Sequence, residues 1–280
     1  MIFYGIFDRL LKRRLVQLVL VLLGAGLIAS CGGNTGDDVP LIFAAASLSD
    51  VLTDSAEVYE RETGKQVVFS FGGSLALANQ IAKLGAPADG AFVVGREAIR
   101  RIADADLVGS NGYRTMFSNQ LAVIGPRESG ELSELSDLTN TEGRIAIGNP
   151  DLAPAGEFAK QALESAGIWD AVSDRLIMTS DVRSAMAAVT SGNTKFAIVY
   201  ASDVASSGDS SIKSLLVVED GYDSIHYFSV PIKDSKNSSG FEEFNQFLAS
   251  SQQTQAIFNA AGFHWNLLAA PNTRSSPESR

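Results

Sequence analysis

Two serines lie where a short apolar strand turns into a helix, which is a place where proteins bind anions. Ser47 follows the strand residues 41–43, and Ser74 follows a second strand, residues 67–71. Ser47 with Asp50 three residues later is also typical of a helix N-cap and capping box. The first N–H groups of a helix have no acceptor within it, and its dipole places positive charge there. The pattern therefore predicts either an anion site built from helix N-termini or two ordinary capped helices.

The composition limits the possible classes of function. The chain has 280 residues, 45% of them hydrophobic, which is enough for one or two cores, and we expect two lobes. The net charge of −10 argues against a nucleic-acid-binding surface and against a basic membrane-binding patch. A single cysteine excludes an intramolecular disulfide and a cluster of metal-binding thiolates. An acidic protein can still bind an anion if local dipoles make the site.

The first 30 residues have the pattern of an export signal. Four basic residues between positions 9 and 14 precede an apolar run, residues 15–28, that is short for a membrane-spanning helix. The ending Ile28-Ala29-Ser30-Cys31 resembles a bacterial lipobox, which implies that residues 1–30 are removed and Cys31 is lipidated. Residues 31–39, rich in glycine and polar residues, would then be a flexible tether. The alternatives are a plain secretory signal and an uncleaved membrane anchor.

Apolar periodicity and turn residues divide the rest of the chain into alternating strands and helices. Further strands are predicted at 90–94, 119–126, 144–148, 177–180, 195–200, 215–218 and 226–232. Helices are predicted from Leu48 to Gly64 and at 75–84, 96–104, 157–166, 181–189, 240–249 and 252–261, with a short one at 135–138 and a loop at 205–214. This alternation predicts α/β layers with mostly parallel sheets, and residues 269–280 read as a disordered tail.

Enzymatic patterns are weak. Gly73-Ser-Leu-Ala lacks the closing glycine of a nucleophile elbow, and the Ser210–Lys213 spacing has no companion motif. His226 and His264 form no pair with metal-ligand spacing. We therefore expect a binding protein with no catalytic residues and no cofactor.

Three segments resemble the family of periplasmic molybdate-binding proteins of ABC transporters. These are Ala44-Ala-Ala-Ser-Leu48, Phe71-Gly-Gly-Ser74 with Leu77-Ala-Asn-Gln-Ile81, and Gly85-Ala-Pro-Ala-Asp89. The resemblance covers residues 41–265 and implies a type II periplasmic-binding-protein fold, with two α/β lobes and the ligand in the cleft between them. Lobe 1 would be discontinuous, at 40–118 and 226–268, and lobe 2 would span 119–225.

The same resemblance implies which residues bind the ligand. They are Ser47 and Ser74 from the first lobe, and Ala155, Val182 and Tyr200 from the second. The serines would donate through hydroxyl and backbone N–H, Ala155 and Val182 through backbone N–H, and Tyr200 through its hydroxyl. None of these groups is an acceptor without a proton to donate, as a carboxylate is. The site therefore suits a fully ionised oxyanion, provided that the carboxylates of Asp181 and Asp203 point away from the ligand. Contact by Arg183 is left open.

The expected ligand is molybdate or tungstate, in which the metal enters only as an oxyanion. A dianion loses its water on entering a cleft, so protein donors must replace the hydration. The alternatives are another tetrahedral oxyanion, sulfate or phosphate, and a ligand-sensing lipoprotein. The expected partner is an ABC transporter permease. We expect a monomer, exported to the periplasm or cell surface and bound to the membrane through its lipid.

Overall fold

The computed structural model describes residues 39–265. The predicted signal, Cys31, most of the tether, residues 266–268 and the predicted tail lie outside the described residues. The strands are β1 (Leu41–Ala45), β2 (Val68–Gly72), β3 (Gly90–Val94), β4 (Arg114–Asn119), β5 (Leu121–Pro126), β6 (Ile145–Gly148), β7 (Leu176–Thr179), β8 (Phe196–Tyr200), β9 (Ile212–Val218), β10 (Ile225–Pro231) and β11 (His264–Trp265). The α-helices are α1 (Ser49–Thr63), α2 (Ser74–Leu84), α3 (Arg96–Asp104), α4 (Pro154–Ser165), α5 (Trp169–Val172), α6 (Val182–Thr190), α7 (Ala201–Ser207), α8 (Ser238–Ser250) and α9 (Gln252–Ala260).

Two sheets divide the described chain into two lobes. The first sheet has the strand order β11-β4-β10-β3-β1-β2, and the second has the order β7-β6-β8-β5-β9. We call the halves built on these sheets the first lobe and the second lobe. The chain crosses to the second lobe at Gln120, between β4 and β5, and returns between β9 and β10. The residue limits proposed for the lobes stay a prediction.

The expectation of mostly parallel sheets is wrong. β1 is parallel to β2 and β3, and β6 is parallel to β7 and β8. The strands next to the crossings run the other way: β10 is antiparallel to β3 and β4, and β5 is antiparallel to β8 and β9. A strand that leaves or re-enters a lobe without a crossover helix is free to pair in this direction. The predicted strand 119–126 is confirmed as β5 from Leu121 onward, whereas β4, which ends at Asn119 in the other sheet, was not predicted.

The predicted N-cap at Ser47 is also wrong. Residues Ala46–Leu48 form a 3-10 turn, α1 begins at Ser49, and Leu48 is its N-cap without a side-chain hydrogen bond. Small residues let the chain turn tightly directly after β1, which buries Ser47 instead of leaving it at the helix end. The predicted helix ends are confirmed, because Gly64 and Gly85 adopt left-handed conformations there.

The N-terminus of α4 lies three residues earlier than predicted. Pro154 is its first residue, where a fixed φ and a missing N–H cost little. This places Ala155 in the first helical turn. Gly156 follows so close to the end of β6 that a Cβ there would overlap the Gly148 carbonyl group. The glycine therefore allows α4 to begin directly against its strand.

The C-terminal helices pack on the first lobe. Tyr59 of α1 makes edge contacts with Phe244 and Phe247 of α8, with ring centroids 5.2 and 5.1 Å apart. Chain segments far apart in sequence thus share one core. Within residues 39–265, none of the helices has the length and apolar character needed to cross a bilayer.

Candidate functional site

The five residues predicted to bind the ligand line one cavity between the lobes. Its empty space is about 210 Å³ when the part open to solvent is included, and all five residues are buried in the folded chain. They are Ser47, Ser74, Ala155, Val182 and Tyr200. Since this value is an upper bound on the enclosed volume and pockets for drug-sized organic molecules measure about 300–1,000 Å³, the cavity suits only a small ligand.

The first lobe contributes two hydroxyl groups at the carboxyl ends of β1 and β2. Ser74 is the first residue of α2, and its Oγ accepts a hydrogen bond of 3.0 Å from the Val94 N–H. Because that bond uses a lone pair of the oxygen, the Ser74 proton is free to point into the cavity. Ser47 lies in the 3-10 turn, and its Oγ is 2.9 Å from the hydroxyl of Tyr227.

The second lobe contributes two helix N-termini and one phenol. Ala155 is the second residue of α4 and Val182 is the first residue of α6, so their N–H groups have no acceptor within the helix. Tyr200 ends β8, and among the described residues its buried hydroxyl has no hydrogen-bond partner. Burial, with the nearby Tyr227 and Asp203, raises the pKa of Tyr200, so the phenol keeps its proton and can donate it.

Asp181 lines the cavity but directs its carboxylate to its own helix. Its oxygens accept hydrogen bonds from the Ser184 N–H, at 2.9 Å, and from the Ser180 hydroxyl, at 2.8 Å. The predicted acidic cap of α6 is therefore confirmed. This cap removes an orphan helix donor and engages both carboxylate oxygens away from a bound anion.

Arg183 joins two acids instead of lining the cavity. Its guanidinium lies 2.8 Å from Asp50 of the first lobe and 3.2 Å from Asp203 of the second, and it donates to the Ser206 hydroxyl at 3.0 Å. The Asp50 pair crosses between the lobes. The positive charge is thus shared between two carboxylates, and the cavity is left with hydrogen-bond donors that carry no net charge.

Asp203 is fully buried next to the site. Burial raises its pKa to about 7, and the Arg183 guanidinium opposes this rise. One carboxylate oxygen accepts a 3.0 Å hydrogen bond from the Tyr200 N–H, which holds the end of β8 and hence the phenol. Asp203 therefore points away from the cavity, as the donor-only interpretation requires.

A direct backbone contact joins the lobes beside the cavity. The Leu152 carbonyl accepts hydrogen bonds from the N–H groups of Leu75 and Ala76, both at 3.1 Å. A Cβ at Gly73 would lie 2.5 Å from this carbonyl oxygen, so the bare glycine permits the approach. At the N-terminus of α2, the N–H groups of Leu75 and Ala76 therefore bond the opposite lobe, while Ser74 faces the cavity.

Sequence reasoning missed the residues that support the predicted ones. Val94, Tyr227 and Asn119 hydrogen-bond to the serines or to each other from strands of the first sheet. No local pattern marks them, since each reads as an ordinary strand residue. Among the described residues, no group of three or more His, Cys, Asp and Glu side chains is arranged to hold a metal ion.

Two α/β lobes joined by crossing strands, with buried donors from both lobes around one cavity, define a two-lobed ligand-binding protein. The chain belongs to the family of bacterial extracellular solute-binding proteins, whose pattern matches residues 40–264. Members of this family bind solutes and are not enzymes.

Known relatives agree with this assignment. The molybdate-binding protein ModA of Escherichia coli is 34% identical over 249 residues, covering 86% of this chain and 95% of the relative. A putative ABC transporter substrate-binding lipoprotein of Bacillus subtilis, YvgL, is 28% identical over 85% of this chain and 93% of its own. The solved periplasmic molybdate-binding protein of Azotobacter vinelandii has a TM-score of 0.70 at 22% identity, over 80% of this chain and 98% of that one. The predicted type II periplasmic-binding-protein fold is confirmed.

Proposed function

We propose that this protein captures molybdate outside the cytoplasm and delivers it to the permease of an ABC transporter. One observation carries the proposal: five buried residues with N–H or O–H donors surround one small cavity. A tetrahedral dianion presents acceptors on every side, so such a cavity can replace its hydration without a countercharge. The names of the Escherichia coli and Azotobacter vinelandii relatives support molybdate as the anion.

Within this proposal each residue has a separate role. Ser47 and Ser74 donate from the first lobe, and Ala155, Val182 and Tyr200 donate from the second. A ligand that bonds both lobes favours the closed arrangement, because only there are all donors within reach. Arg183 stays with Asp50 and Asp203 and strengthens the contact between lobes without touching the anion.

The size of the cavity sets selectivity among oxyanions. Tungstate is nearly equal to molybdate in size and charge, so we propose that it binds at the same site. Sulfate has the same shape and charge with shorter bonds, so it would leave some donors too far away for good hydrogen bonds. Discrimination between molybdate and sulfate, which are both fully ionised, therefore depends on distance and not on the type of donor.

We further propose that the protein acts as a monomer and is held at the outer face of a membrane by a lipid on Cys31. The lipobox-like ending before Cys31 supports the anchor, and the Bacillus subtilis relative is itself described as a lipoprotein. A tethered binding protein stays close to its permease, which raises the local concentration for docking.

Calorimetric titration of the purified protein, stripped of ligand, tests the function. Molybdate, tungstate, sulfate and phosphate are titrated in parallel. We expect one-to-one binding of molybdate and tungstate, with sulfate far weaker. Stronger binding of sulfate or phosphate would move the protein to another oxyanion, and no binding of any of the four would reject the oxyanion site.

A further inference from the structure

A chain of buried hydrogen bonds lies behind Ser47. Its Oγ is 2.9 Å from the Tyr227 hydroxyl, which is 3.1 Å from the Asn119 amide nitrogen. The same amide nitrogen is 2.7 Å from the Ser202 hydroxyl. All four side chains are at most 8% exposed, so water does not compete for these bonds. The network joins the first lobe, the crossing at Gln120 and the start of α7.

Each hydrogen bond of this network has an assignable donor. The Asn119 Oδ1 accepts the Gln120 N–H at 2.9 Å, which orients the amide so that its NH₂ group faces Tyr227. An NH₂ group can only donate, so the Tyr227 oxygen accepts from it. Of the two groups bonded to this phenol, the Ser47 Oγ is the one that can accept, so the phenol donates its own proton to it. Ser47 accepts this bond, and its proton is left pointing toward the cavity.

The other two hydroxyl groups of the cavity also have a proton that is not used within the protein. Ser74 accepts from the Val94 N–H, and Tyr200 has no hydrogen-bond partner among the described residues. Asp181 carries a possible acceptor, but its carboxylate oxygens are engaged by Ser184 and Ser180. Each of the three hydroxyl groups therefore has a proton available for a ligand.

We propose that Asn119 and Tyr227 are positioning residues that direct the Ser47 proton into the cavity, and that this favours oxyanions without a proton over oxyanions that carry one. The proposal rests on the proposed oxyanion function. A fully ionised oxyanion receives every proton that the site offers. Hydrogen phosphate has the same shape but brings an O–H group of its own. A cavity hydroxyl that accepts this proton cannot also donate to the same ligand oxygen, so one donor is left buried without an acceptor. An unsatisfied buried donor is costly, and turning Ser47 round would require Asn119 to give up its bond to Gln120.

Tyr227→Phe tests the relay, with Tyr59→Phe as the matched control. Tyr59 is also a buried tyrosine of the first lobe, but it packs against Phe244 and Phe247 away from the cavity. Molybdate and phosphate are titrated at mildly alkaline pH, where molybdate is fully ionised and phosphate keeps one proton. We expect Tyr227→Phe to weaken molybdate binding about tenfold. Because the released Ser47 can accept a proton, phosphate binding should not weaken with it, and the preference for molybdate narrows by about the same factor.

Two further variants separate the relay from a packing effect. In a Ser47→Ala background, Tyr227→Phe should no longer change the preference, because the relay acts through Ser47. Asn119→Asp places an acceptor where the donor stood, so Tyr227 donates to the carboxylate. Ser47 then donates to the Tyr227 oxygen and can accept a proton from the ligand, so the preference for molybdate over phosphate should again narrow.

The outcomes are distinct. The relay is rejected if Tyr227→Phe leaves the ratio of molybdate to phosphate affinity unchanged, or if it changes that ratio equally when Ser47→Ala is present. Neither result contradicts the proposed binding of molybdate. Thermal unfolding of each variant verifies that it is folded, and if Tyr227→Phe does not fold, Asn119→Asp decides by the same ratio. Failure of the unmodified protein to bind molybdate overturns the proposed function and the relay with it.

Discussion

The buried hydroxyl groups are the smallest unit on which the proposed site depends. Ser47 and Ser74 are each 1% exposed, and each has its oxygen engaged from behind so that its proton is available to the cavity. A serine that serves only a helix cap would instead turn its oxygen toward the helix N–H groups. Their orientation therefore supports a role in binding.

Ser47→Ala and Ser74→Ala should each weaken molybdate binding by about 1–3 kcal/mol, the value of a hydrogen bond to a charged group. Titration calorimetry measures this directly. Ser250→Ala, at an exposed position of α8, is the control and should bind as the unmodified protein does. Unchanged affinity in both cavity variants would remove these serines from the site.

Asp203 makes the folding stability depend on pH. Its pKa is about 7 in the folded protein, above its ordinary value of 3.8. Between these values the folded chain keeps a proton that the unfolded chain has lost, so the stability falls as pH rises through this window. Because each unit of pKa difference corresponds to about 1.36 kcal/mol, the loss of unfolding free energy across this window should be smaller by a few kcal/mol in Asp203→Asn. Urea unfolding at several pH values measures it.

The control for this experiment is Asp170→Asn, an exposed carboxylate at the start of α5. It should keep the pH slope of the unmodified protein. Parallel loss of stability in the unmodified protein and in Asp203→Asn would show that Asp203 is ionised throughout, held by Arg183.

At the scale of elements, the site is made by where helices begin. α2, α4 and α6 each place their first turn at the cavity, and each follows a strand of the parallel part of its sheet. In this arrangement the carboxyl ends of neighbouring strands lie at one edge, so the helix N-termini gather there. The direction of the parallel strands thus provides the positive dipoles.

Gly156→Ala should disturb one of these helix starts. A Cβ there would overlap the Gly148 carbonyl, and backbone atoms cannot move aside as a flexible side chain can. We expect α4 to shift away from β6, with a loss of about 1–3 kcal/mol in unfolding free energy. Molybdate affinity should fall as well, because the Ala155 N–H moves with the helix. Gly130→Ala, where a Cβ meets nothing within 4 Å, is the control for both measurements. Unchanged affinity would mean that Ala155 does not contact the anion.

At the scale of the whole molecule, hydrogen bonds and an ion pair join the lobes beside the cavity, in addition to the Asn119–Ser202 bond. The Leu152 carbonyl receives two N–H groups from α2, and Arg183 pairs with Asp50. Partly exposed ion pairs contribute about 0–1 kcal/mol, so these contacts alone hold the lobes weakly. A bound anion that bonds both lobes would add the larger share, which couples binding to closure.

Cys31→Ser should release the protein from membranes. Lipid attachment requires the thiol, and the chain has no other cysteine, so no disulfide is lost with it. Fractionation of cells that produce the protein, followed by detection in soluble and membrane fractions, measures the result. Continued membrane association of the variant would instead indicate an uncleaved N-terminal anchor.

Local patterns in the sequence determine much of the secondary structure. Alternation of apolar runs and helical spacing predicted most strands and helices, and glycines marked the ends of α1 and α2, because these signals depend on neighbouring residues. The five residues proposed to bind the ligand were predicted through the resemblance to molybdate-binding proteins, and each lies at a strand end or helix start.

Other features depended on contacts between distant segments. Ser47 and Tyr227 are 180 positions apart, and Asn119 and Ser202 are 83 apart, so no periodicity relates them. The same holds for the antiparallel crossing strands and for Arg183, which local sequence left free to contact the ligand but which pairs with Asp50 and Asp203. Strand direction and the orientation of a buried hydroxyl depend on which distant segments contact each other. Those contacts form only when the chain has folded into its two lobes, so the tertiary structure decides them.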